Sequence, residues 1–226
     1  MRDGGGGFPA GLFAMAALAA IFILWPRESR AAAAIDYGSD AGPGEGDAWS
    51  SDNSGDAVIQ QNDPLPAFLY MIRSAENRNV PDPQRYNRFY ANIQFSGLAD
   101  HPVATGELEG IHLSDAMCRA AGFSTGCVST AAGAYQLILP TWQRYRQAGA
   151  WGPYLPDFGV ASQDEAARRI LQSSGALGEL VTGNFSSAVR IASKTWASLP
   201  GSTAQQGGVS FADTLALFTD GQRIFG

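Results

Sequence analysis

The sequence predicts a mainly helical α+β domain over residues 64–226, carried behind an apolar leader and an acidic linker. Three observations predict it. Apolar residues recur at helical spacing in several segments after Pro64, with one short stretch suited to strands. The 226 residues are 45% hydrophobic, enough to build a core. The charge is also unevenly spread: residues 1–66 hold 3 basic and 9 acidic side chains, and residues 67–226 hold 12 of each. The whole formal charge of −6 therefore belongs to the N-terminal third. A domain without basic excess is not built to neutralise phosphates, so nucleic acid is not an expected partner. With 2 Cys and 2 His, a zinc finger, an iron–sulfur cluster and a multi-histidine metal site are excluded, and no cofactor is expected.

Residues 1–30 read as an export signal or membrane anchor. Phe8 to Trp25 runs without a charge over roughly 18 residues, about what crosses a hydrocarbon core. Arg2 precedes it and Arg27 and Arg30 follow, so charge encodes orientation only weakly. Ala31 to Ala34 offer a signal-peptidase site, but the apolar run is longer than an ordinary signal core and ends in Trp25-Pro26. An uncleaved anchor in the inner membrane is the preferred expectation. Residues 31–63 form a Gly/Ser-rich linker with seven acids and no base from Ile35 to Asp63, a composition expected to stay disordered.

The first helix is expected from Pro64 to about Glu76, because Leu65, Phe68, Leu69 and Ile72 make one apolar stripe. Asn77 to Gly97 has no helical period and is irregular or holds a short hairpin between Tyr86 and Phe95. A short helix is expected to begin at Thr141. Ser162 and Glu165 form a capping-box pattern for a helix running to about Ser173. Asn184 is a candidate cap for a helix carrying Val189, Ala192 and Trp196, stopped by Pro200-Gly201. A last helix is expected from Phe211 to about Thr219, with Leu215 and Phe218 on one face. Cys118 and Cys127 lie nine apart in a turn-rich stretch, and in an exported domain such a pair forms a disulfide.

Four groups of residues are able to carry chemistry. Glu76 stands at the end of an apolar helix, where lost hydration raises a carboxyl's pKa and keeps it protonated, as general-acid work requires. Ser129 to Gln136 places small residues around Gly133, followed by an aromatic ring, Tyr135, and an amide, Gln136, a pairing that suits carbohydrate and also suits an ordinary core edge. Asp100-His101-Pro102 reads as a turn capped by its Asp more readily than as an acid–base pair. Trp142 and Tyr145 are better core residues than ligand platforms.

Taken in order, Ala75-Glu76, Leu98 to Pro102, Ser129 to Gln136 with Trp142 and Tyr145, and Trp196 to Gly201 resemble the lambda-type phage lysozymes. The resemblance covers roughly residues 67–226. It implies a lysozyme-like fold with a small hairpin region beside a cleft, and cleavage of peptidoglycan as a lytic transglycosylase. The family's single essential Glu falls on Glu76, and its groove-lining Tyr and Gln fall on Tyr135 and Gln136. Ser129, Thr130, Asp100 and His101 join the expected substrate-binding set. The expected partner is the peptidoglycan glycan strand, met by a monomer on the periplasmic side of the inner membrane or secreted into the periplasm. A hydrolytic lysozyme, with Asp82 or Asp100 as second carboxylate, and a non-catalytic wall-binding module are the alternatives. Asn77 stands where many members have Gly, and Thr105 to Cys127 looks like an insertion carrying the cysteines.

Overall fold

The computed structural model describes residues 63–202 and 208–226. The expected anchor at residues 8–25 and nearly all of the acidic linker lie outside the described residues. Helix α1, Leu65–Glu76, opens on Pro residues compatible with a first turn and buries Phe68, Leu69, Met71, Ile72 and Ala75. A short antiparallel hairpin follows, β1 (Arg88–Phe89) with β2 (Ile93–Gln94), in the stretch where the sequence left a hairpin open. A single turn, α2 (Pro102–Thr105), leads to a second antiparallel pair, β3 (Ile111–His112) with β4 (Val128–Ser129), which encloses helix α3 (Asp115–Ala120). The Cys118–Cys127 disulfide is formed and ties α3 to the start of β4. Cys118 lies on α3, and Cys127 in the turn-rich stretch just before β4.

Helices complete the domain: α4 (Leu139–Tyr145), α5 (Val160–Ser174), α6 (Ala176–Val181), α7 (Phe185–Ala192) and α8 (Phe211–Phe225). Four sequence expectations are corrected. Helix α4 begins two residues before Thr141, because Pro140 fits its first turn. Ser162 does not cap α5: the cap position is Gly159, and Ser162 sits inside the helix with its hydroxyl on Asp157 Oδ1 at 2.8 Å. Glu165 instead holds Arg168 and Arg169, at 2.6 and 2.8 Å. Helix α7 ends at Ala192, so Trp196 lies beyond it; Asn184 does hold the N-cap position, with its side-chain amide on Thr182 Oγ1. Helix α8 continues to Phe225, starts with a Ser210–Asp213 capping box and buries Phe218 while leaving Leu215 exposed.

The core sits between α1 and its neighbours. Phe68 meets Phe218 and Phe185 edge-on, with ring centroids 6.2 and 6.0 Å apart, and Phe185 lies 4.7 Å from Phe218. Gly221 lets α8 lie directly on α1, since a Cβ there would come within 2.8 Å of the Ala67 carbonyl oxygen. Both faces of α1 are thus packed. Its C-terminal carboxyl, Glu76, is delivered to one fixed place.

Candidate active site

Helix α1 stops after Glu76 because Asn77 leaves helical backbone angles. The Asn77 amide donates to Ala134 O at 2.7 Å, which fastens the helix end to the Gly133–Gln136 turn. That turn needs its glycine: Gly133 has φ +77°, and a Cβ there would stand 2.1 Å from Gln163 Oε1. Gln163 is fully buried on α5, accepts from Ala134 N at 2.8 Å and donates to Phe158 O and Tyr86 O. Helix end, turn and α5 are therefore one assembly.

A pocket opens at their junction, lined by Glu76, Gln136, Ile138, Thr141, Thr195 and Trp196, with Tyr135, Leu137 and Ala197 completing its wall. The Glu76 carboxyl is 5% exposed. Its Oε1 accepts from Ser198 Oγ at 2.5 Å, and the Ser198 backbone amide adds a second donor. Burial dominates: loss of water pushes the Glu76 carboxyl up to about 7, while the two Ser198 donors and the nearby Arg78 charge pull it partly back. A carboxyl raised in this way is near its titration range at neutral pH. It is able both to give and to take a proton.

The other expected residues divide. Gln136 lines the pocket beside Glu76, with positive φ and its amide donating to Gly133 O at 3.0 Å. Tyr135 contributes to the wall, but its ring is fully buried and its hydroxyl donates to Asp164 Oδ1 at 2.6 Å, so it offers no stacking face. Tyr86 donates to the same oxygen at 2.7 Å, and burial raises both phenols above their ordinary range. Ser129, Thr130, Asp100 and His101 do not line the pocket. Ser129 Oγ accepts from Ala131 N, and Thr130 Oγ1 accepts from Leu139 N at 3.0 Å, so both stitch the turn to its flanks. Asp100 accepts from His101 N, from Trp142 Nε1 at 2.7 Å and from Arg146, partners that hold its carboxyl below the usual range against the desolvation.

His101 is fully buried, with Nε2 on Leu137 O at 3.0 Å and Nδ1 accepting from Val103 N. Burial drives its pKa down to about 4, which leaves it neutral. The turn reading of Asp100-His101-Pro102 is the one this geometry supports, with His101 packed in the core rather than lining the pocket. Asp82, the other candidate second carboxylate, is occupied by Arg73 at 3.0 Å and Arg85 at 3.3 Å. Sequence reasoning missed Ser198, Thr141, Thr195 and Gln163. Ser198 had a signal, since it lies in the Trp196–Gly201 motif.

Similarity to known proteins agrees with this arrangement. A family model described as Endolysin matches residues 66–222. The endolysin of Escherichia phage P2 is 32% identical over 153 residues, covering 64% of this chain and 84% of the phage protein. That of Escherichia phage lambda is 41% identical over 149 residues, covering 64% and 82%. Among solved structures, bacteriophage lambda lysozyme complexed with a chitohexasaccharide superposes with a TM-score of 0.58 at 27% identity, over 73% of this chain and 97% of that one. The match runs from the second residue of α1 almost to the end of α8 and so takes in both Glu76 and Ser198; the chain belongs to the endolysin family and is a lambda-type phage lysozyme.

Proposed function

We propose that this endolysin cleaves the β-1,4 bond between N-acetylmuramic acid and N-acetylglucosamine in peptidoglycan as a lytic transglycosylase. One observation carries the reading: Glu76 is a buried carboxyl in a pocket whose lining contains no second acidic residue. Glycan as ligand is supported by the lambda lysozyme structure, which was complexed with a chitohexasaccharide. A hydrolase that activates water commonly uses two carboxylates. Here Asp82 and Asp100 are both engaged by arginines.

One carboxyl suffices when the sugar supplies its own nucleophile. Glu76 gives its proton to the glycosidic oxygen as the bond from muramic C1 breaks. The resulting carboxylate then takes the proton of the C6 hydroxyl of the same muramic residue as that oxygen bonds to C1. The product is a 1,6-anhydro ring, Glu76 regains its proton, and no water is consumed. The disulfide suits an oxidising compartment such as the periplasm, where the wall lies. Among the described residues no helix is long and apolar enough to cross a membrane; attachment to the inner membrane is proposed to rest on residues 8–25.

Mass spectrometry of muropeptides released from purified peptidoglycan tests the chemistry. Anhydro-muramic ends, about one water lighter than hydrolytic ends, are expected because the C6 oxygen replaces water. Reducing muramic ends throughout would make the enzyme a hydrolytic lysozyme. No soluble product at all would leave a wall-binding module.

A further inference from the structure

Ser198 is fully buried, lies 122 residues after Glu76 in the chain and is not needed to fill a helix or strand. Its placement is nonetheless tightly specified. Val209 N donates to Ser198 O at 2.8 Å, and a Cβ on Gly208 would come within 2.6 Å of that same oxygen. The segment entering α8 therefore presses the Ser198 peptide against the end of α1. We propose that Ser198 is the positioning residue of the reaction: its hydroxyl, 2.5 Å from Oε1, fixes the Glu76 carboxyl in the orientation from which it exchanges protons with the glycan. This rests on the reading of Glu76 as the general acid and base.

A hydroxyl that donates to a buried carboxylate stabilises the charged form more than the neutral one. In this pocket it opposes the desolvation that favours the acid. Few other groups act on the carboxyl. Arg78, just beyond α1, is the one charge that lowers its proton affinity, and Arg78 also feels Asp213 from α8. Tyr135 turns its phenol away to Asp164, and Thr141 and Thr195, from the α4 and α7 sides, are neutral. Ser198 is thus the neighbour whose removal most directly changes both the aim of the carboxyl and its titration.

The test is the pH dependence of kcat/KM for the full chain acting on purified peptidoglycan. Because bond cleavage needs protonated Glu76, the rate falls as pH rises through its pKa. Ser198→Ala removes a donor to the carboxylate, so this alkaline limb moves up by about one pH unit while the maximal rate drops. Ser198→Cys, which keeps nearly the same volume with a weak donor, moves the limb in the same direction and guards against a misfolded Ala variant. Ser198→Thr retains the hydroxyl and returns the limb toward its original pH. A limb that stays in place in both Ser198→Ala and Ser198→Cys, whatever the loss of rate, overturns the proposal and leaves Ser198 a packing residue. Undiminished turnover by Glu76→Gln would instead overturn the reading beneath it.

Discussion

Glu76 carries two opposed demands. Burial that suits it to the acid role proposed above also makes its ionised form costly to the fold. Glu76→Gln keeps the shape and removes the titrating proton, so lysis of purified walls should fall by at least about 10²–10⁴-fold. The same substitution should change stability in a pH-dependent way. The folded pKa of about 7 lies above the ordinary value of 4.5, so the native state binds more protons than the unfolded chain between those values. Stability from this group is fully present below about 4.5 and is lost as pH rises through about 7. At pH 8 the glutamine variant should gain on the order of 2–3 kcal/mol over the parent, and at pH 4 almost nothing, as read by urea unfolding at the two pH values. Equal changes at both would mean that Glu76 is not desolvated. The position of this carboxyl was legible because the stripe before it has a clean helical period. The Trp196–Gly201 motif marked the segment of Ser198, but its contact with Glu76 was hidden, since a contact across 122 residues leaves no local pattern. The inward turn of Tyr135 was equally hidden: ring and amide side by side look the same in sequence whether the ring faces a ligand or Asp164.

The elements add constraints that single side chains do not show. Helix α8 rests on α1 through Gly221, where the nearest atoms are backbone and cannot move aside. Gly221→Ala should push the helices apart and cost about 1–3 kcal/mol despite the alanine's better helix propensity, read as a lower Tm with the spectrum still helical. An unchanged Tm would mean that α8 has room to shift. The disulfide acts on α3 and the β3–β4 pair: reduction should lower stability by roughly 2–3 kcal/mol, and alkylation after mild reduction should label two cysteines where the untreated protein gives none. Helix α8 runs on past Thr219 and through Gly221, whose missing side chain serves the close approach to α1. Likewise Ser162 and Glu165 carry a capping spacing one turn too late, because Gly159 already starts α5 and Asp157 takes the serine. The β1–β2 hairpin was legible only as a possibility and the β3–β4 pair not at all, since strands of two residues have no period to read.

In the molecule as a whole, net charge and chemistry are assigned to different parts of the chain. Residues 1–63 hold all of the excess acid, and Glu76 with its pocket lies after them. A chain beginning near Pro64 should keep its rate on isolated walls and lose membrane association, measured by wall turbidity and by sedimentation with lipid vesicles. A folded but inactive product would assign the N-terminal third a part in catalysis. The anchor and linker expectations rest on composition alone and lie outside the described residues.

The clasp between the Ser198 peptide and the residues leading into α8 also bears on how the enzyme comes into being. Glu76 is made early and its partner late, and the strand of chain that braces the partner comes later still. Ribosomes add residues in that order. A growing chain therefore carries its reactive carboxyl for most of synthesis without the hydroxyl that aims it, and without the last helix that shields the first. The contact that orients Glu76 is therefore made only after residues 198–209 have joined the chain.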